Sequence, residues 1–345
     1  GYLQGLLEDN LSGAGREVRI TGFEGALSSQ ATIERMTIAD DAGVWITLTD
    51  LVLDWNRAAL LRGRLEINTL SAATIDVPRL PKTDEGVTPE ATVATEFALP
   101  DLPVSVQIGE ITAARVSLGA PILGEAVILA VEGSVSLAAG AGEMDLSVLR
   151  GDARGTFGLE ASYANDTDIL ALDLALEEQQ GGIIARLLDL PGQPALALSV
   201  KGEDPLSDYT AAITLSSDGA ERLGGTVEIR KNETGAQSFS AALDGDLRPL
   251  FEPAFHPFFG GDSALRVAGL YGQDGALDLP EFSLRSAALS LTGRLALGAD
   301  HWPTSFDLSG ALTPPARGSM SPDVPLRLPG SGPATFLDGA RISAA

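Results

Sequence analysis

The sequence predicts an all-β fold, an antiparallel sheet with one apolar and one wet face and only a few short helices. Three observations predict it. Between residues 104 and 313 apolar side chains return at nearly every second position, with Asp, Ser, Thr, Ala or Arg between them. Only an extended strand sends alternate residues to opposite faces. Gly133, Gly245, Gly269, Gly293 and Gly310 fall inside these runs in the apolar register, where a missing side chain permits sharp bending or close approach of another layer. Finally, 44% of residues are hydrophobic although acids outnumber bases 47 to 23. A chain with a formal net charge of −24 therefore still holds enough apolar area to offset the entropy of ordering.

Residues 2–11 place Leu3, Leu6, Leu7 and Leu11 on one helical face before Ser12-Gly13, which reads as a short amphipathic helix with a glycine stop. From Arg16 the period becomes two: Val18 and Ile20 alternate with Arg19 and Thr21, and Ile33, Ile38 and residues 45–55 continue in strand-like pieces. Residues 56–62 read as a helical turn, because Ala and Leu dominate and β-branched residues are missing. A strand over 65–70 then leads toward Arg79-Leu80-Pro81, completing an amino-terminal β region at 1–82. Residues 83–103 are rich in Pro, Thr and Glu and read as a linker or mobile loop.

The repetitive β region spans 104–313, with strands expected at 127–137, 157–163, 170–176, 196–200, 209–215, 227–229, 239–247, 265–270, 289–297 and 306–312. Asp218-Gly219 and Asp274-Gly275 are expected to close hairpins. One helix interrupts the series at 181–191, with Ile183, Ile184, Leu187 and Leu188 on one side, and its expected place is across an end or seam of the sheet. The segment 314–345 is Pro- and Gly-rich, and strand pairing is expected to lapse over 314–333.

Little in the chain points to chemistry. A surface this acidic repels phosphate, so nucleic acid and anionic membrane surfaces are poor partners. There are no cysteines, hence neither disulfides nor thiolate chemistry, and no apolar run is long enough to span a bilayer. The two histidines, His256 and His301, lie beside prolines and aromatics and read as packed loop residues. No Walker A loop, paired-histidine spacing or EF-hand loop occurs, and Gly261-Asp262-Ser263-Ala264-Leu265 lacks the last glycine of a nucleophile elbow. Asp40-Asp41 and Glu177-Glu178 are strand neighbours that point to opposite faces and cannot converge on one substrate atom. Arg150-Gly151-Asp152 and three Asn-X-Ser/Thr triplets are short enough to arise by chance. Neither a catalytic residue nor a metal or other cofactor is expected. An antiparallel sheet with one apolar face must bury it against another layer, close into a barrel, or cover it with a non-protein hydrophobe. A sealed β-sandwich and a lining for acyl chains both satisfy that requirement.

A resemblance narrows the choice. Val18-Arg19-Ile20-Thr21-Gly22-Phe23-Glu24-Gly25-Ala26-Leu27, Ala31-Thr32-Ile33, Met36-Thr37-Ile38-Ala39-Asp40, Gly43-Val44-Trp45 and Leu53-Asp54-Trp55-Asn56-Arg57-Ala58-Ala59-Leu60-Leu61-Arg62-Gly63 resemble the amino-terminal region of the TamB family, as does Ile67-Asn68-Thr69-Leu70-Ser71-Ala72. Gly181-Gly182-Ile183, Leu187-Leu188-Asp189-Leu190-Pro191-Gly192, Gly202-Glu203-Asp204-Pro205-Leu206, Leu247-Arg248-Pro249-Leu250-Phe251 and Phe258-Phe259-Gly260 are similar to the part that follows.

The resemblance implies an elongated, curled antiparallel sheet forming an apolar groove, or β-taco, in a relative of the AsmA-like and bridge-like lipid transfer proteins. It implies a periplasmic location, an inner-membrane anchor preceding Gly1, and movement of phospholipids toward the outer membrane. A TamA-like outer-membrane protein of the Omp85 type would be met through a carboxy-terminal domain that this sequence does not represent. Under this reading Leu172, Leu174, Leu196, Leu198, Ile213, Leu215, Val227, Ile229, Leu243, Leu289 and Leu291 line the groove and hold phospholipid acyl chains. The alternative is a scaffold whose strand edges guide nascent outer-membrane proteins or autotransporters by strand addition.

Overall fold

The computed structural model describes residues 5, 8, 12, 16–25, 28–82, 98–100, 104–152, 154–231, 237–272, 276–299, 302–312 and 324–331. It is all-β, with eighteen strands and a few short helices among these residues, in curled antiparallel sheet that is not closed into a barrel. The chain falls into two compact units that divide within the repetitive region, at residues 167–172 and again after Leu188.

The first unit holds β1 (Glu17–Glu24), β2 (Gln30–Asp40), β3 (Gly43–Asn56), β4 (Arg64–Val77), β5 (Ser105–Leu118), β6 (Val127–Ala138), β7 (Ala141–Arg150), β8 (Gly155–Ala164) and most of β9 (Ile169–Glu178). From β1 to β8 each strand pairs with the next, antiparallel everywhere except between β4 and β5, which are parallel. A parallel pair needs a connection long enough to return the chain to the starting end. Residues 78–104 provide it, so the expected linker joins two hydrogen-bonded neighbours of one unit. Most of that segment, 83–97 and 101–103, lies outside the described residues.

The alternation in this unit is not strictly period two. In β5 the apolar residues are Val106, Ile108, Ile111, Ala113, Val116 and Leu118, two alternate positions followed by a skip. The doublets between them, Gly109-Glu110 and Ala114-Arg115, are exposed. The parallel neighbour β4 repeats the spacing in register, with Ile67 opposite Ile108, Leu70 opposite Ile111, Ala72 opposite Ala113 and Ile75 opposite Val116. Apolar rows thus stay together across the shift. In β3 the corresponding step between Leu48 and Leu51 is taken at Asp50, whose φ is 50°, and in β1 the step between Ile20 and Phe23 at Gly22, whose φ is 67°. Bulge-like steps of this kind bend a strand and add twist.

The second unit holds β10 (Leu196–Pro205), β11 (Asp208–Ser217), β12 (Ala220–Lys231), β13 (Gln237–Gly245), β14 (Ser263–Tyr271), β15 (Leu277–Arg285), β16 (Leu289–Leu297), β17 (Pro303–Leu312) and β18 (Val324–Ser331), and from β10 to β18 each strand pairs antiparallel with the next. Asp218-Gly219 closes β11–β12 with both φ values positive, 50° and 76°, as the turn chemistry predicts. Ala139-Gly140, with φ of 48° and 70°, does the same for β6–β7 without an Asx signal. Asp274-Gly275 lies outside the described residues. β18 corrects the expectation that pairing lapses over 314–333: its backbone pairs with β17 despite Pro325 and Pro329.

The helices are shorter than the periodicity suggests. The turn expected at 56–62 is α1 (Arg57–Leu60), whose first turn is capped by Asn56 accepting from Ala58 N at 3.2 Å. Between β5 and β6 lies α2 (Ala120–Leu123). The helix expected over 181–191 contracts to α3 (Ile183–Leu187), because Gly181 before it and Asp189 after it adopt positive φ, 76° and 50°. In the second unit, α4 (His256–Phe259) follows two 3-10 turns and caps the β15–β16 hairpin, Ala287 and Ala288 donating to the carbonyls of Phe259 and Phe258. Of the helix expected at 2–11 only Gly5 and Glu8 are described, both helical, and its other residues lie outside the described set.

At one edge of the first unit, Arg79 donates to both carboxylate oxygens of Asp40 at 2.6 and 2.8 Å, and Lys82 N adds a bond of 2.8 Å. The Arg79 hydrogen bond is the main reason the Asp40 carboxyl titrates well below the usual carboxylate range. A carboxylate depressed in the folded state adds stability that is present above its unfolded pKa, near 3.8, and lost as pH falls through its folded value. Carboxyl chemical shifts followed by NMR should accordingly show Asp40 still ionised at pH 3, and half-protonation near pH 4 would mean that the Arg79 pair does not hold in solution.

Candidate functional site: the apolar sheet face

Registers of the second unit can be followed strand by strand along one face, since directly paired residues share a face. Leu198 pairs with Leu215 and Val200 with Ile213; Ala211 pairs with Val227 and Tyr209 with Ile229; Val227 then meets Ala241 and Ile229 meets Phe239. The row continues through Leu243–Leu265 and Val267–Phe282 to Leu284–Leu291 and Leu295–Phe306. Where β15 bulges, Leu279 and Phe282 pair with Leu295 and Gly293, so the bulge absorbs one residue and keeps both apolar side chains on this face. The opposite face of the same pairs carries Lys201, Thr214, Glu228, Ser240, Arg266, Ser283, Thr292 and Asp307.

Nine of the eleven residues expected to line a groove fall on this face: Leu196, Leu198, Ile213, Leu215, Val227, Ile229, Leu243, Leu289 and Leu291. Leu196 is buried, Ile229 is 36% exposed and the other seven are half-buried. Leu172 and Leu174 belong to β9 in the first unit, are half-buried, and alternate in register with Leu176, which contributes to an apolar cleft beside Leu129, Val148 and Phe157. A second cleft of about 270 Å³ in that unit is lined by Phe23, Ile33, Leu51, Leu53, Trp55 and Leu70. The helices with described bounds have five residues or fewer, too short to lay a second layer over either wall.

All five glycines singled out in the strands are in the apolar register, with Gly133 opposite Ile111, Gly245 opposite Ser263 beyond Leu243, Gly269 opposite Phe239, Gly293 opposite Leu308 and Gly310 opposite Leu291. At Gly310 a Cβ would overlap the carbonyl oxygen of Ser290, and at Gly293, where φ is 151°, that of Asp307. The neighbouring backbone occupies the space a side chain would need, so only glycine permits this close approach of the strands.

One end of the first unit's wall is polar. Arg150 pairs with Leu129, shares the apolar register with Val148, and is only 9% exposed. Its Nε lies 3.1 Å from Asp152 and its Nη2 3.1 Å from Glu125, which also takes the guanidinium of Arg186. That Arg186 hydrogen bond holds the Glu125 carboxyl below the usual range. Glu178, equally buried, accepts from Ile183 N at 3.0 Å and Ile184 N at 2.9 Å and so satisfies the open first turn of α3. The sequence reading assigned none of these roles to Arg150, Glu125 or Glu178. Only the alternation through Leu146 and Val148 to Arg150 could have signalled a charge on the apolar side.

Of the two histidines, one is described. His256 Nε2 sits 3.0 Å from the Phe251 carbonyl, within a cluster where Phe251 stacks on Phe259 with centroids 3.9 Å apart, while His301 lies outside the described residues. No group of three or more metal-ligating side chains occurs among the described residues. What the face offers physically is a half-exposed aliphatic surface. No protein-family model, curated protein or solved structure matches this chain.

Proposed function

We propose that the apolar face carries phospholipid acyl chains, and that the chain is the lipid-conducting part of a TamB-like envelope protein. The observation that carries the proposal is the aliphatic wall of the second unit, continuous by register from β10 to β17 and covered by no helical layer among the described residues. Each methylene laid on such a wall gains about 0.8 kcal/mol. The paired row Val200–Ile213–Gly225–Leu243–Leu265–Leu284–Leu291 carries no charged side chain and so presents no strong trap, and a lipid can move along it while its headgroup stays in water. The proposal places the chain in the periplasm of a bacterium, anchored to the inner membrane and serving outer-membrane biogenesis. Its outer-membrane partner would be a TamA-like protein.

Scaffolding by strand addition finds less support. On β1 the N–H groups of Val18 and Ile20 are taken by the Ser12 hydroxyl at 2.9 Å and the Glu8 carboxylate at 2.7 Å, which removes donors that an added strand would need.

Photo-crosslinking tests the lipid reading directly. A benzophenone side chain at Leu215 or Val227 should capture phospholipid, while the same group at Thr214 or Glu228 on the opposite face should not. Equal capture on both faces, or capture of polypeptide alone at Leu215, would overturn the reading.

A further inference from the structure

Beside Arg150 the wall closes into a cleft of about 220 Å³ lined by Leu123, Leu129, Val148, Phe157, Leu176 and Ile183. A single water needs only roughly 10–15 Å³ of such space, so the cleft has room for a larger, apolar occupant. Arg150 and Glu178 are the charged groups in its lining. Both Glu178 oxygens are engaged by the backbone of α3. A guanidinium offers donors on all three nitrogens; in Arg150, Nε and Nη2 are used by Asp152 and Glu125, whereas buried Nη1 has no hydrogen-bond partner among the described residues. A buried charged donor left unmatched is costly, and the fork geometry suits a carboxylate or phosphate oxygen. The two carboxylates that fix Nε and Nη2 orient the guanidinium, leaving its third nitrogen as the donor still to be matched.

We propose that this cleft binds an anionic single-chain amphiphile, its tail on Leu129, Val148, Phe157 and Leu176 and its carboxylate or phosphate on the guanidinium of Arg150, a residue of the lining. The inference rests on the lipid reading above and adds a charge preference at one fixed place on the wall. A small anion without a tail presents the same oxygen chemistry, and the test separates the two.

Binding to the full chain is measured with three probes: oleate, oleyl alcohol, and acetate with inorganic phosphate. Oleate should bind at least about tenfold more tightly than oleyl alcohol, the difference that one charge-assisted hydrogen bond supports. Arg150→Met should bring the two within about twofold while keeping oleyl alcohol binding, and Arg150→Lys, which retains charge without the fork, should keep part of the preference. Equal binding of the two amphiphiles by the unaltered protein, or an undiminished preference in Arg150→Met, overturns the site and leaves the lipid wall standing. Failure to bind either amphiphile overturns both. Acetate or phosphate bound as tightly as oleate would make this a plain anion site and overturn the amphiphile assignment. Should Arg150→Met not fold by circular dichroism, the ratio in the unaltered protein and its change in Arg150→Lys decide the matter.

Discussion

Replacing Ile213 or Leu215 with Asp is expected to lower phospholipid transfer between vesicles on the order of a hundredfold while the chain stays folded. Both side chains lie half-buried on the apolar face, Ile213 between Val200 and Gly225 and Leu215 between Leu198 and Leu223. A carboxylate there can remain hydrated while the face is empty, but an acyl chain crossing the row must strip that water. Taking an ion out of water costs several kcal/mol even after relaxation, and about 2.7 kcal/mol suffices for a hundredfold loss in rate. Thr214→Asp, one position away on the opposite face, serves as the control and should leave transfer within about twofold. Folding is checked by circular dichroism and protease resistance. Transfer that continues unchanged in a folded Ile213→Asp protein would contradict the account.

The second large effect concerns the curl itself. Gly310→Val should destabilise the second unit by about 3 kcal/mol or more, combining overpacking with forced backbone displacement. The added Cβ would overlap the backbone carbonyl of Ser290, which cannot swing aside as a flexible side chain would. Gly293→Val should do the same against Asp307, with the further strain of a φ of 151°. Gly158→Ala is the counterpart. Nothing lies within 4 Å of a Cβ at that position, so the substitution should be neutral or stabilising by up to about 1 kcal/mol, since alanine loses less entropy on folding. Urea unfolding of the three variants checks this. A Gly310→Val protein as stable as the parent would mean that β16 and β17 do not approach as closely as the structure has them.

These predictions draw on a part of the fold that was legible in the sequence. Where strands run without a phase shift, as along Ala211, Ile213 and Leu215, alternation by itself assigns the face. The glycines of the apolar register were equally readable, because a gap in an otherwise aliphatic series has few structural uses. Legibility fails where the period changes. Leu65, Ile67, Leu70, Ala72, Ile75 and Val77 follow a two-then-skip pattern, so strict alternation ends the strand at residue 70 although β4 continues to Val77. The same spacing hid β5 altogether. Reading for a five-residue recurrence of apolar pairs would have found both.

Arg150 illustrates a different limit. A charged residue closing a strand looks like a turn residue, and what keeps it on the apolar face is Glu125, 25 positions away in the chain. Partners brought together by sheet register leave no local trace in sequence. Helix length was overestimated for a local reason instead: the Ile and Leu spacing at 183–188 is helical, but Gly181 and Asp189 take backbone conformations that stop the helix on either side.

The central claim, that lipid rather than protein covers this face, is tested most directly by native mass spectrometry of the chain purified without added lipid, with extraction and identification of what accompanies it. The account predicts bound phospholipid from the parent chain and its loss from Ile213→Asp and Leu215→Asp. Protein that is folded, free of lipid and unable to take any up on incubation with phospholipid would contradict it.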